Sequence, residues 1–213
     1  MNISIFITSK EHPIFSYLVE WIEKNKSNHQ INLVHSVEDL SEGDILFLIS
    51  CSEVVSKTVR DKFQKTLVVH ASDLPHGRGW SPHIWEIVSG ATSITVSLIE
   101  AEDQVDTGDI WEKLNIEIPK TVLFEEINQL IFNTEIELIN FAINNFNTVS
   151  SQPQSEEGAS YFSKRTPKDS EIDIDKSLSE QFDLIRVCDE SRFPAFFYKD
   201  GKKFNLTIYK DDE

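Results

Sequence analysis

Cysteine is scarce in this chain: Cys51 and Cys188 are the two thiols among 213 residues. Two are too few for a disulfide framework, and inert free thiols in a reducing compartment are the expectation. Long apolar runs are missing as well, since none approaches the ~18 residues that a membrane span requires. Met1-Asn2-Ile3-Ser4 places no basic segment ahead of an apolar one, so no secretory leader is expected and the cytoplasm is the expected compartment. Basic residues are in deficit, with 20 Lys and Arg against 36 Asp and Glu, a formal net charge of -16. Affinity for a phosphate backbone rests on Lys and Arg, so this balance argues against a nucleic-acid partner. A small anionic substrate can still be held by a few local cations. Glycine occurs seven times, never as Gly-x-Gly-x-x-Gly after the first strand; Ser9-Lys10-Glu11-His12 stands there instead. That speaks against a nicotinamide or flavin dinucleotide site. His70, His76 and His83 with Asp73 fit neither zinc-finger nor His-Glu-x-x-His spacing, and no metal is expected.

What the chain does have is apolar content of 39%, including 14 phenylalanines, enough for a sizeable core. Asn2 to Thr8 alternates as a strand, and Pro13 opens a helix carrying Leu18, Val19, Trp21 and Ile22. Ile31 to His35 reads as a second strand, and Asp44 to Ile49 is a continuous apolar run, as in a central strand buried on both faces. A helix is expected over Val54 to Phe63, then a strand Thr66 to Val69, a helix from Pro82 to Val88 and a strand Ile94 to Ile99. Thr121 to Phe146 is the longest helical pattern. Such β-α-β alternation implies an α/β fold: a Rossmann-like, mostly parallel sheet with helices on both faces, over residues 1–150. Val149 to Gly158, rich in Ser, Gln, Pro and Glu, reads as a linker into a small C-terminal α+β appendage over residues 151–213. A short helix around Gln181 to Val187 is expected there, followed by a hairpin turning at Asp200-Gly201. Exposed hairpin edges or the long helix offer surfaces for a homodimer.

The stretch His70-Ala71-Ser72-Asp73-Leu74-Pro75-His76-Gly77-Arg78-Gly79-Trp80-Ser81-Pro82 follows the strand Thr66 to Val69. Ligand sites of open α/β sheets collect at the carboxyl ends of strands. A histidine there can move a proton near neutral pH. A second stretch, Asp106-Thr107-Gly108-Asp109-Ile110, follows an acidic loop over Glu100 to Val105.

Together, in this order, His-x-Ser-x-Leu-Pro, Arg-Gly, Pro-x-x-Trp and Asp-x-Gly-x-Ile resemble the formyltransferases that use N10-formyltetrahydrofolate as co-substrate. The resemblance is clear from about Asp44 to Ile110 and weaker over the rest. It implies that His70 and Asp106 are catalytic. It further implies that Arg78, Gly79 and Trp80 lie on the acceptor side, and that Ser50, Ser52, Asp103, Val105 and Gly108 lie around the folate. No metal is implied. In the family an Asn two residues before the His shares the work, and here that position is Val68. Valine has no donor, so a backbone N–H or Ser50, Ser52 or Ser72 would have to substitute, His70 as imidazolium would have to suffice, or the protein binds folate without efficient chemistry.

The segment Tyr161 to Asp173, with Lys164, Arg165 and Lys168, is similar to one in sugar N-formyltransferases, as are Leu184-Ile185-Arg186 and Phe193 to Phe197. That branch implies a nucleotide-linked amino sugar as acceptor, with Arg165 and Lys168 suited to its diphosphate. It also implies a place in lipopolysaccharide or other glycan biosynthesis. Two other acceptors share the catalytic core. Methionyl-tRNA is disfavoured by the acidic balance and by the lack of a full-sized basic C-terminal domain; glycinamide ribonucleotide leaves the Arg-Gly element and the C-terminal segment without a purpose.

Overall fold

The computed structural model describes residues 1–211. A six-stranded sheet organises the chain, with β1 (Asn2–Phe6), β2 (Gln30–Val34), β3 (Gly43–Leu48), β4 (Phe63–His70), β6 (Ser93–Glu100) and β7 (Ile110–Glu117) in the order β2-β1-β3-β4-β6-β7. The first four run parallel, while β6 and β7 are antiparallel additions on one side. The sheet is thus mostly parallel, as the β-α-β alternation predicts.

The unbroken apolar run of β3 is explained by its central place. Ile45, Phe47 and Ile49 point into one core, with Ile3, Ile5, Leu67 and Val69 beside them. Leu46 and Leu48 point into a smaller cluster on the opposite face with Phe6, Leu40, Val55 and Phe63. Three helices cover the first face: α1 (Phe15–Asn25), α3 (Pro82–Val88) and α4 (Phe124–Asn144). Each fully buried Leu, Ile or Phe there contributes roughly 1.5–3 kcal/mol. The indole of Trp21 on α1 also donates to Asn140 Oδ1 of α4 at 2.8 Å.

The second face is thinly covered. The expected helix over Val54 to Phe63 shrinks to α2 (Lys57–Arg60). Its last residue is drawn into β4, where Phe63 pairs with Gly43, and Val54 is left exposed. The reduction leaves Val68, Cys51 and Ala101 only partly covered on this face.

Beyond Asn144, the stretch that reads as a linker is bound to the sheet. Gln152 exchanges backbone hydrogen bonds with Ile110 (2.7 and 2.8 Å). A two-residue strand, β8 (Tyr161–Phe162), pairs in parallel with β5 (Arg78–Gly79). Then come α5 (Leu178–Arg186) and the antiparallel hairpin β9 (Ala195–Lys199) and β10 (Lys202–Leu206). The hairpin turn has Asp200 at φ 50 and Gly201 at φ 76, the paired left-handed geometry that an Asp-Gly turn favours. Ile172, Ile185 and Ala195 form their own small cluster, whereas Val187 reaches the main core. Among the described residues, no helix is long and apolar enough to cross a membrane.

Candidate active site

His70 is the last residue of β4. Strand alternation sends Leu67 and Val69 into the main core and turns Val68 and His70 to the thinly covered face. The imidazole is buried, with Nε2 2.9 Å from the carbonyl oxygen of Gly77. A carbonyl can only accept, so Nε2 carries the hydrogen and Nδ1 is the nitrogen that gains and loses a proton. Nδ1 faces Oδ1 of Asp106 at 3.6 Å.

Asp106 is also buried, and its backbone is left-handed at φ 59. Asp tolerates this region better than most residues, but the conformation costs on the order of 1 kcal/mol and needs support from its surroundings. Oδ2 accepts from the Gly79 amide at 2.8 Å. Gly108 lets the loop return close to β6: a Cβ there would stand 1.8 Å from the Glu100 carbonyl oxygen. On the far side, the Gln154 carboxamide donates to the carbonyls of Asp106 (3.0 Å) and Gly108 (2.7 Å). Gln154 sits in a stretch of ordinary polar composition, and no spacing or periodicity singles it out.

The other residues singled out by the sequence are placed as follows. Arg78 is fully buried, and its guanidinium donates to Gln154 Oε1 (3.0 Å), to Glu156 (3.2 Å) and to the Tyr161 hydroxyl (3.3 Å). Its side chain is therefore committed to the chain's own segment 154–161, while the next residue, Gly79, meets Asp106 directly. Trp80 is exposed, with the Lys164 ammonium 4.4 Å above its ring. Arg165 donates to the Asp169 carbonyl (3.3 Å) and to Ser170 Oγ (3.1 Å), holding its own turn. Lys168 is exposed.

On the side that the resemblance assigns to the folate, β3 is in register with β4, Leu48 beside Val68. Ser50, two residues on, continues toward the level of His70, with a left-handed backbone at φ 48 and an exposed side chain. Ser52 is tied to Thr8, its amide 3.2 Å and its hydroxyl 3.3 Å from Thr8 Oγ1. Asp103 is held by the buried Arg60 guanidinium, which also donates to the Ala101 carbonyl. This pins the loop over the face that carries Val68. Val105 is exposed on that loop. Ser72 is fully buried, and its Oγ has no partner among the described residues.

Burial sets the charge of the groups around the pair. It pushes His83 down to about 3, with further lowering from the nearby His70, His12 and Arg165, so His83 stays neutral. Its Nδ1 is sealed from solvent without a partner among the described residues. His12 is lowered to about 4 by burial and by Arg192. Glu86 is raised to about 7, first by burial and then by Asp73. The centre is thus a buried imidazole facing a carboxylate, suited to taking and passing a proton. Among the described residues, no three His, Cys, Asp or Glu side chains are grouped to hold a metal ion.

Comparisons with known proteins identify the family and the fold. The formyl transferase family profile matches residues 2–143. A methionyl-tRNA formyltransferase of Rickettsia bellii is 27% identical over 193 residues, covering 88% of this chain and 61% of that protein. The chain therefore spans less than two thirds of the length of that relative. Three solved structures share the fold. A methionyl-tRNA formyltransferase from Clostridium thermocellum superposes with a TM-score of 0.84 at 24% identity, over 100% of this chain and 94% of the other. HypX from Aquifex aeolicus in complex with tetrahydrofolic acid gives 0.81 at 20%, over 97% and 37%. A sugar N-formyltransferase from Shewanella sp FDAARGOS_354 gives 0.72 at 16%, over 99% and 98%.

Proposed function

This chain belongs to the formyl transferase family, and on that premise we propose that it transfers a formyl group from N10-formyltetrahydrofolate to the amine of a nucleotide-linked amino sugar. The observation that carries the reading is the buried His70–Asp106 pair, 3.6 Å apart at the carboxyl end of β4, inside the matched region. The bound folate supplies an activated formyl group. The partly covered apolar side chains of Val68, Cys51 and Ala101 suit a flat aromatic ring.

When the acceptor nitrogen forms its bond to the formyl carbon, it must lose a proton. His70 Nδ1 takes it, and the Asp106 carboxylate stabilises the imidazolium that results. The same proton returns to N10 as the bond between N10 and the formyl carbon breaks. Val68 offers nothing to the charge that develops on the formyl oxygen. Ser50, exposed and two residues past the Leu48–Val68 pair, is our assignment for that donor; Ser72 is sealed in the core and Ser52 is bonded to Thr8.

Support for a sugar nucleotide comes from the segment Tyr161 to Asp173, which lies against the Gly77-Arg78-Gly79 turn through β5 and β8 and carries the exposed Lys164 and Lys168. The net charge of -16 fits a small acceptor better than a polynucleotide. Methionyl-tRNA is the second reading, favoured by the sequence relatives. The test is a panel of nucleotide-linked amino sugars, methionyl-tRNA and glycinamide ribonucleotide, each incubated with N10-formyltetrahydrofolate and read by mass spectrometry. Formylation of an amino sugar is expected. Formylation of methionyl-tRNA or glycinamide ribonucleotide alone overturns the acceptor assignment.

A further inference from the structure

Asp106 holds a left-handed backbone at φ 59 while its carboxylate serves both His70 and the Gly79 amide. The carboxylate reaches both from that backbone conformation, so a contact that holds the conformation also bears on the pair. One side chain is bonded to it from outside the loop. Gln154 Nε2 lies 3.0 Å from the Asp106 carbonyl and 2.7 Å from the Gly108 carbonyl, and Oε1 lies 3.0 Å from Arg78 Nη2. The two carbonyls can only accept and the guanidinium can only donate, so the orientation of the carboxamide is unambiguous. Its two hydrogens span the turn, and its oxygen ties that turn to the residue between Gly77 and Gly79.

We infer that Gln154 is a positioning residue: it clamps the Asp106 turn to Arg78 and so holds Asp106 against His70. This inference rests on the formyl-transfer reading only for the rate effects below. The rest of the returning segment braces the same two turns. Gln152 pairs with Ile110 just after the Asp106 loop, and Ser160 Oγ accepts from the Gly77 amide at 2.9 Å. Arg78 also meets Glu156 at 3.2 Å. Of these contacts, that of Gln154 is the one that touches the backbone of a member of the pair.

The test compares Gln154→Ala with the isosteric Gln154→Glu in the full chain. The glutamate keeps an acceptor for Arg78 and nearly the same volume, but offers no hydrogen to the two carbonyls. Amide hydrogen exchange of Gly79, whose N–H is bonded to Asp106 Oδ2, reports the position of the carboxylate without any need for turnover. In both variants it should accelerate by about tenfold or more, while the Val69 amide in β4 exchanges as before. In the formyl-transfer assay, kcat should fall by about tenfold, with KM for the folate within about twofold of wild type. Unchanged Gly79 exchange in both variants overturns the positioning role, and so does an intact kcat in Gln154→Glu. A wild-type protein that transfers no formyl group overturns the proposed reaction, whereas faster Gly79 exchange in the variants then still upholds the clamp.

Discussion

His70 and Asp106 are anchored to one turn: His70 Nε2 meets the Gly77 carbonyl at 2.9 Å, and Asp106 Oδ2 meets the Gly79 amide at 2.8 Å. The two anchoring atoms belong to residues flanking Arg78, whose buried guanidinium is held in turn by the segment 154–161. The pair therefore has a fixed geometry before any ligand arrives, leaving Nδ1 and Oδ1 as the two atoms that face each other across 3.6 Å. Preorganisation of this kind is what a proton-transfer centre requires.

Val68 shares a face with His70, and its side chain is partly covered beside Cys51 and Ala101. Valine and asparagine are close in volume, so Val68→Asn should fold, at a cost of about 1–3 kcal/mol if its amide finds no partner. With Ser50 acting as the donor, kcat in Val68→Asn should stay the same or fall, and Ser50→Ala should lower it. A rise of about tenfold in Val68→Asn, ~1.4 kcal/mol of barrier, would instead mean that the wild-type site lacks a donor and runs as a weakened enzyme.

Arg165 and Lys168 are both basic residues of one turn, but they are placed differently. Arg165 is bonded to the Asp169 carbonyl and Ser170, whereas Lys168 is exposed. Lys168→Ala should raise KM for the acceptor severalfold and leave the melting temperature unchanged. Arg165→Ala should raise the same KM and also lower the melting temperature, by about 2–4 °C for a loss near 1 kcal/mol. Parallel titrations should find folate affinity unaltered in both; no change in acceptor KM in either variant would assign the cluster to a solvated turn.

Much of the architecture is legible in the sequence because it follows from local pattern. The apolar run of β3, the alternation of β4 that brings His70 to its end, and the Asp200-Gly201 hairpin all stand where pattern and turn chemistry put them. The helix over Val54 to Phe63 does not, because register with Gly43 claims Phe63 for the sheet. At the site, His70 and Asp106, which the family resemblance singles out, are brought together across 36 residues of chain. Three features are not legible: the burial of Arg78, the left-handed Asp106 and the clamp at Gln154. Each depends on the return of residues 152–162 across the site, a long-range pairing of a polar stretch with no periodicity of its own.

Glu135 lies buried in α4, and burial raises its carboxyl to about 8. The group is neutral in the folded chain at a pH where the unfolded chain, near 4.5, has released its proton. The folded state then binds more protons, so stability from this group falls as pH rises from about 4.5 toward about 8 and levels off above. Glu135→Gln removes that slope. Its melting temperature should exceed that of wild type at pH 8 and approach it at pH 5, as read by thermal scans at the two pH values. Equal differences at both would show that the carboxyl is ionised in the fold.

In the proposed reaction His70 and Asp106 move the proton during formyl transfer. The decisive measurement is of single-turnover rates and folate affinities of His70→Asn and Asp106→Asn with whichever acceptor the panel identifies. Both variants should fold, bind the folate within about twofold of wild type, and lose on the order of 10²-fold or more in the rate of transfer. Near-normal transfer by either variant would remove that residue from the chemistry.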